Sequence, residues 1–179
     1  MDEEKALQFL NGVKNENLRK HMVAVAAIMK KLASMLGEDE ETWYYTGLLH
    51  DIDYEQVDMK EHGIKSAEML QGLLPEDALH AIMAHNEMTG VEAKTKLDYA
   101  LIASDAISGL IVASALVMPD KKLKSVTVKT LKNKFKDKSF ARKVDRNKIM
   151  YCEKIGFSIE QFFEIALEAM KGVANQLGL

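Results

Sequence analysis

From Tyr99 to Met118 the sequence YALIASDAISGLIVASALVM carries a single charge, Asp105. That is about the length a helix needs to cross a bilayer. A carboxylate in the middle of a spanning helix, however, costs ~2.5–3.5 kcal/mol or more, and the chain has no second segment of this kind. The run is therefore expected to form the central helix of a soluble bundle, with no membrane as partner. Other helices must then cover it on most of its sides.

The rest of the chain is suited to supply them. Only Pro75 and Pro119 interrupt it, and Ala, Leu, Lys, Glu and Met, all good helix formers, dominate. No sustained period-two strand pattern is present, so the expected fold class is all-α. With 179 residues, 47% of them hydrophobic, one domain with a substantial core is the simplest organisation. The lone cysteine, Cys152, excludes an internal disulfide. The start, MDEEKALQFL, is acidic and lacks a secretory apolar segment, so a cytoplasmic location is expected.

Apolar spacing predicts where the helices run and which polar residues they turn inward. A first long helix spans about Asn17 to Leu36, with Gly37 as its stop, and His21 lies beside its apolar stripe. A second, about Asp39 to Asp51, contains the uncharged run TWYYTGLL and closes on His50 and Asp51. A third begins near Glu61 with His62 in its first turn. A fourth begins with Pro75 as its first residue. It turns His85 inward with Ala78 and Ile82, and His80 outward with Glu76 and Asp77. A fifth, about Lys96 to Val117, places Asp105 on a face with Leu101, Ser108 and Val112. Two more are expected, Thr127 to Phe135 and Phe140 to Ile155. A last helix opens on the capping box Ser158-x-x-Gln161.

The inward polar groups are His21, His50, Asp51, His62, His85 and Asp105, drawn from five helices. Any one of them alone is readily explained as a satisfied core histidine or a helix cap. Six together demand more, because a buried carboxylate is costly unless paired or coordinated, and no lysine or arginine lies near Asp51 or Asp105 in sequence. A metal would satisfy all six. Imidazole nitrogen and carboxylate oxygen without sulfur suit Fe, Mn, Zn, Co or Ni. Six ligands suffice for two ions if one carboxylate bridges, and Asp51 stands between the two histidine sets in chain order.

The ordered set His21…His50-Asp51…Asp105 resembles the HD-domain superfamily of metal-dependent phosphohydrolases. His62-Gly63 and the AIMAHN segment ending at His85-Asn86 resemble its two-metal subgroup. The resemblance covers about residues 17–118, leaving 119–179 as a basic helical arm and a C-terminal helix. It implies one ion on His21, His50, Asp51 and Asp105, and a second on Asp51, His62 and His85. It further implies hydrolysis of a phosphate ester by a metal-activated hydroxide, with Asp51 catalytic. Many two-metal members read His-Asp-Ile-Gly-Lys, with the lysine near the substrate phosphate. Here the run is His50-Asp51-Ile52-Asp53-Tyr54. Asp53, Glu55 and Glu87 are the candidates for moving a proton, Asp53 foremost.

The stretch from Lys121 to Lys148 holds twelve lysines and arginines against two aspartates, a local charge of +10. With −3 overall, the remainder carries −13. Such an arm can steer an anionic substrate into an acidic body. Arg142, Lys143 and Arg146 are the candidate phosphate contacts. No aromatic stacking series accompanies the charge, so a small phosphorylated molecule such as a nucleotide is the expected partner rather than a nucleic acid. The uncharged helices leave room for a homodimer. Two other functions fit the same residues: a di-iron oxygenase acting on a polyol or phosphonate, and a non-catalytic nucleotide-binding module.

Overall fold

A computed structural model describes residues 1–179 and shows ten α-helices, short 3-10 turns and no strand. The helices are α1 (Glu3–Gly12), α2 (Glu16–Leu36), α3 (Glu40–Leu49), α4 (Ile64–Met69), α5 (Glu76–Ala84), α6 (Lys96–Leu116), α7 (Val128–Lys136), α8 (Arg146–Ile149), α9 (Ile159–Gly172) and α10 (Ala174–Leu177). The expected all-α class holds.

α6 is the apolar run, and it lies at the centre. It packs against α2, α5, α7, α8 and α9, and Leu101, Ile107, Leu110 and Ile111 are fully buried there. Its apolar surface is therefore satisfied by other helices, as the single mid-helix charge requires. A capping box between Thr95 and Asp98 starts it.

α2 and α3 form the closest helix pair. A Cβ on Gly47 would sit 3.0 Å from the backbone N and Cα of Ala26 and from Cγ of Met29. Glycine at this position lets the two backbones meet, and the C-terminal end of α3 arrives beside the first turns of α2. The caps follow the sequence: Asn15 accepts from Leu18 N–H, Asp39 from Thr42 N–H, and Ser158 from Gln161 N–H in its capping box.

Several boundaries differ from expectation. α1 lies ahead of the helices expected from apolar spacing, with Asp2 as its cap and Ala6 and Leu10 buried against the body. His62 does not begin a helix. It lies in a turn, and Gly63 at φ +93° caps α4 behind it. Pro75 is the cap of α5 rather than its first residue. His80 is not simply solvated, because its Nδ1 lies 3.0 Å from the buried Asp98 carboxylate.

The expected helix from Phe140 is absent up to Asp145. Residues 137–145 form turns, with Ala141 at φ +46°. The reason is Arg146, whose guanidinium donates to the carbonyl oxygens of Lys134, Phe135, Asp137, Phe140, Ala141 and Val144. These bonds satisfy backbone acceptors that a helix would otherwise have paired. Asp145 then caps α8 by accepting from Asn147 and Lys148.

Candidate metal centre

Five segments end or pass at one point. α2 contributes His21 from its second turn, and His50 and Asp51 follow directly on α3. The turn before α4 supplies His62, His85 closes α5, and Asp105 lies midway along α6. The six side chains form two groups that can each hold a metal ion: His21, His50, Asp51 and Asp105, and Asp51, His62 and His85. Within each group the candidate ligand atoms lie within 4.8 Å of one another. The structure therefore brings together every residue that sequence reasoning nominated as a ligand.

Asp51 belongs to both groups, and its two oxygens face different ways. Oδ1 is 3.2 Å from His62 Nε2 and 3.3 Å from His85 Nε2. Oδ2 is 3.5 Å from His21 Nε2 and 3.3 Å from His50 Nε2. Asp105 Oδ1 closes the first group at 2.8 Å from His21 Nε2 and 3.6 Å from His50 Nε2.

Each imidazole is oriented from behind. His50 Nδ1 donates to the Gly47 carbonyl at 2.7 Å, and His85 Nδ1 donates to the Ile82 carbonyl. His62 Nδ1 meets Asp53 Oδ1 at 2.7 Å, and His21 Nδ1 meets Ser108 Oγ at 3.1 Å. Occupying every Nδ1 leaves every Nε2 lone pair aimed at the centre, the arrangement metal-ligating histidines adopt. His50 Nε2 is fully buried and makes no hydrogen bond. A buried polar atom left so is costly unless something absent from the polypeptide satisfies it.

Electrostatics agree. Burial works to lower the His50 and His62 pKa values, but the neighbouring carboxylates prevail. Asp51 and Asp105 hold His50 well above its ordinary value, and Asp51 with Asp53 lifts His62 to about 9. Burial likewise works to raise the carboxylates, and the imidazoles overcome it. His50, His62 and His85 hold Asp51 well below the usual range, and His21 and His50 do the same for Asp105. The metal-free site thus gathers positive charge as protons around its two acids. A divalent cation would supply the same compensation.

The proton-moving candidates have other duties. Asp53 is fully buried. Besides His62, its carboxylate accepts from Gly63 N–H and Ser66 N–H, both at 2.8 Å. It is held away from the cleft and positions His62, so it does not fit the catalytic role expected of it. Gly63 makes this possible, since a Cβ there would lie 2.8 Å from the Ile82 carbonyl oxygen. Glu55 accepts from Lys14 N–H and Asn15 N–H and ties down the α1–α2 corner. Glu87 is exposed, with its carboxylate 3.7 Å from Lys148 Nζ.

The centre opens into a cleft of about 410 Å³, walled also by Asn15, Tyr54, Met59, Asn86 and Lys148. Arg142, Lys143 and Arg146 do not line it. Arg146 is committed to the loop carbonyls, and Arg142 and Lys143 are exposed elsewhere on the arm. The basic residue that does reach the cleft, Lys148, is one of twelve similar cations in sequence. Nothing in the local pattern distinguishes it.

The HD domain family model matches residues 18–110, just over half of the chain and a span containing all six converging residues. The chain is 36% identical over 98 residues to the Ribonuclease Y of Lawsonia intracellularis, an alignment covering 52% of this chain and 18% of that protein. It is 33% identical over 99 residues to the Ribonuclease Y of Oleidesulfovibrio alaskensis, with 53% and 18% covered. It is 30% identical over 110 residues to an uncharacterized protein of Methanocaldococcus jannaschii, with 59% and 65% covered. The chain thus spans less than a fifth of the ribonucleases' length and just under two-thirds of the archaeal protein's. No solved structure matches it.

Proposed function

This chain belongs to the HD-domain family, and from that premise we propose that it is a phosphohydrolase that uses two divalent transition-metal ions to cleave a nucleotide or another small phosphate ester. The observation that carries the reading is the division of Asp51, with one oxygen facing His62 and His85 and the other facing His21 and His50. The donor set fits such ions: four imidazole Nε2 atoms and two carboxylates, with no sulfur. The buried His50 Nε2, which makes no hydrogen bond, is a position that a metal ion would satisfy.

When bound, ions of this kind lower the pKa of water and offset charge on a phosphoryl oxygen. The chain's own residues do the rest. His50, His62 and His85 are nearly inaccessible and form a rigid floor, whereas His21 and Asp105 retain side-chain exposures of 26% and 31% and face the opening. A substrate therefore approaches past His21 and Asp105. The Nδ1 bonds to Gly47, Ile82, Asp53 and Ser108 hold the rings in place, so little reorganisation is needed as charge develops. The cleft's volume suits a small ester.

The test is hydrolysis, read as phosphate release from monoesters and as shorter fragments from RNA, by protein loaded separately with Fe, Mn, Zn, Co and Ni. The panel contains nucleotides, sugar phosphates and, because two relatives are ribonucleases by name, short RNA. Turnover that Asp51→Asn abolishes supports the reading. No hydrolysis with any metal refutes it, and oxygen uptake by the iron form on a polyol or phosphonate establishes the oxygenase instead.

A further inference from the structure

Among the residues lining the cleft, Lys148 is the only lysine or arginine. It does not come from the stretch that matches the family model, which ends at residue 110. We infer that Lys148 binds the substrate's phosphate, so that the C-terminal arm completes a phosphate subsite beside the metal centre. The inference rests on the hydrolase reading of this cleft.

The local build explains how one cation of twelve acquires this position. Arg146 collects the loop carbonyls between Lys134 and Val144. Asp145 caps α8, and Ile149, next to Lys148, is fully buried in the core. Val144 packs near Gly109 of α6, where a Cβ on the glycine would lie 3.3 Å from Val144 Cγ2. The segment is thus pinned to the same helix that carries Asp105, with Lys148 two residues after the committed Arg146 and one before the buried Ile149. Its side chain is 29% exposed, unlike the freely solvated lysines at 121, 122, 129 and 138.

Its present partner is weak. Glu87 lies 3.7 Å away and is 81% exposed, a pair of little strength in water. Lys148 also lines a second, smaller pocket together with Glu87, Glu92 and Tyr151, and so borders both spaces. An arriving phosphate dianion offers a stronger acceptor than the solvated Glu87 carboxylate. It would draw the ammonium group away from Glu87 and onto the oxygens that face away from the metal centre.

Calorimetric titration of inorganic phosphate into the full-length, metal-loaded protein tests this, with metal content and melting temperature measured on each variant. Lys148→Met is expected to weaken phosphate binding about 10- to 100-fold with metal content unchanged. Lys148→Arg is expected to retain affinity within about threefold and Glu87→Gln to tighten it, because a lysine contacts phosphate as a point charge and Glu87 is its competitor. Equal affinity in wild type and a folded, metal-loaded Lys148→Met overturns the lysine's role while leaving the hydrolase reading intact. No phosphate binding by the wild type overturns the phosphate subsite, and the hydrolase reading then rests on turnover alone.

Discussion

The Asp53 carboxylate lies 2.7 Å from Nδ1 of His62, on the side of the ring opposite Asp51, whose Oδ1 lies 3.2 Å from Nε2. The imidazole is held between two acids, one buried behind it and one in the centre. Removing the rear acid should loosen the ring without touching the candidate ligands. Asp53→Ala is expected to weaken one of two metal-binding events about 10- to 100-fold and to spare the other, as read from metal titrations. Equal weakening of both would mean that Asp53 maintains the whole fold rather than His62.

His85 shares only Asp51 with the other group. Wild-type protein is expected to hold about two ions per chain, and His85→Ala about one, by elemental analysis after dialysis. His21→Ala should remove the other ion. Full occupancy in both variants would leave no dinuclear site.

Metal-free protein should respond to pH in a direction set by His62. Its folded pKa of about 9 lies above the ordinary value of 6.5, so its contribution to stability is complete below about pH 6.5 and is lost as pH rises through 9. Asp51 and Asp105, held low, contribute above the usual carboxylate range and fail in acid. The metal-free melting temperature should therefore fall from pH 6.5 to 9, and the metal-loaded protein should not follow, because the cation takes the proton's place. Metal binding near pH 7 should also release protons, seen as a buffer-dependent calorimetric enthalpy. A flat metal-free profile across that range would contradict the charge balance described for the centre.

Arg146 should behave as a structural residue. Arg146→Met removes the donors to six backbone carbonyls of the end of α7 and the loop after it and is expected to cost about 2–3 kcal/mol in urea unfolding. Arg142→Met, at an exposed position without such bonds, should cost little. A loss of phosphate affinity in Arg142→Met equal to that in Lys148→Met would return the outer arm to the list of substrate contacts.

The helical fold and the six converging side chains were legible in the chain because both are written in local pattern. Good helix formers with few prolines specify helices, and a histidine or aspartate on an apolar face is turned inward whatever lies opposite. The sharp boundaries at Gly37 and Ser158 were legible for the same reason, since a cap acts within its own turn.

The assignments of Asp53, Arg146 and Lys148 depended on tertiary structure. An acid beside the His-Asp pair reads equally as a proton carrier or a buried brace, and only the return of Gly63 and Ser66 to its carboxylate selects the brace. An arginine in a basic run reads as a phosphate contact until a loop folds around it. Sequence by itself determined that polar groups would face a common interior and of what chemical kind they would be. Which acid braces a histidine from behind, which arginine is taken up by backbone carbonyls, and which one cation reaches the opening was decided by long-range packing. Hydrogen-bond partners are chosen by distance in space, and spacing along the chain carries no such distance beyond a helical turn or two.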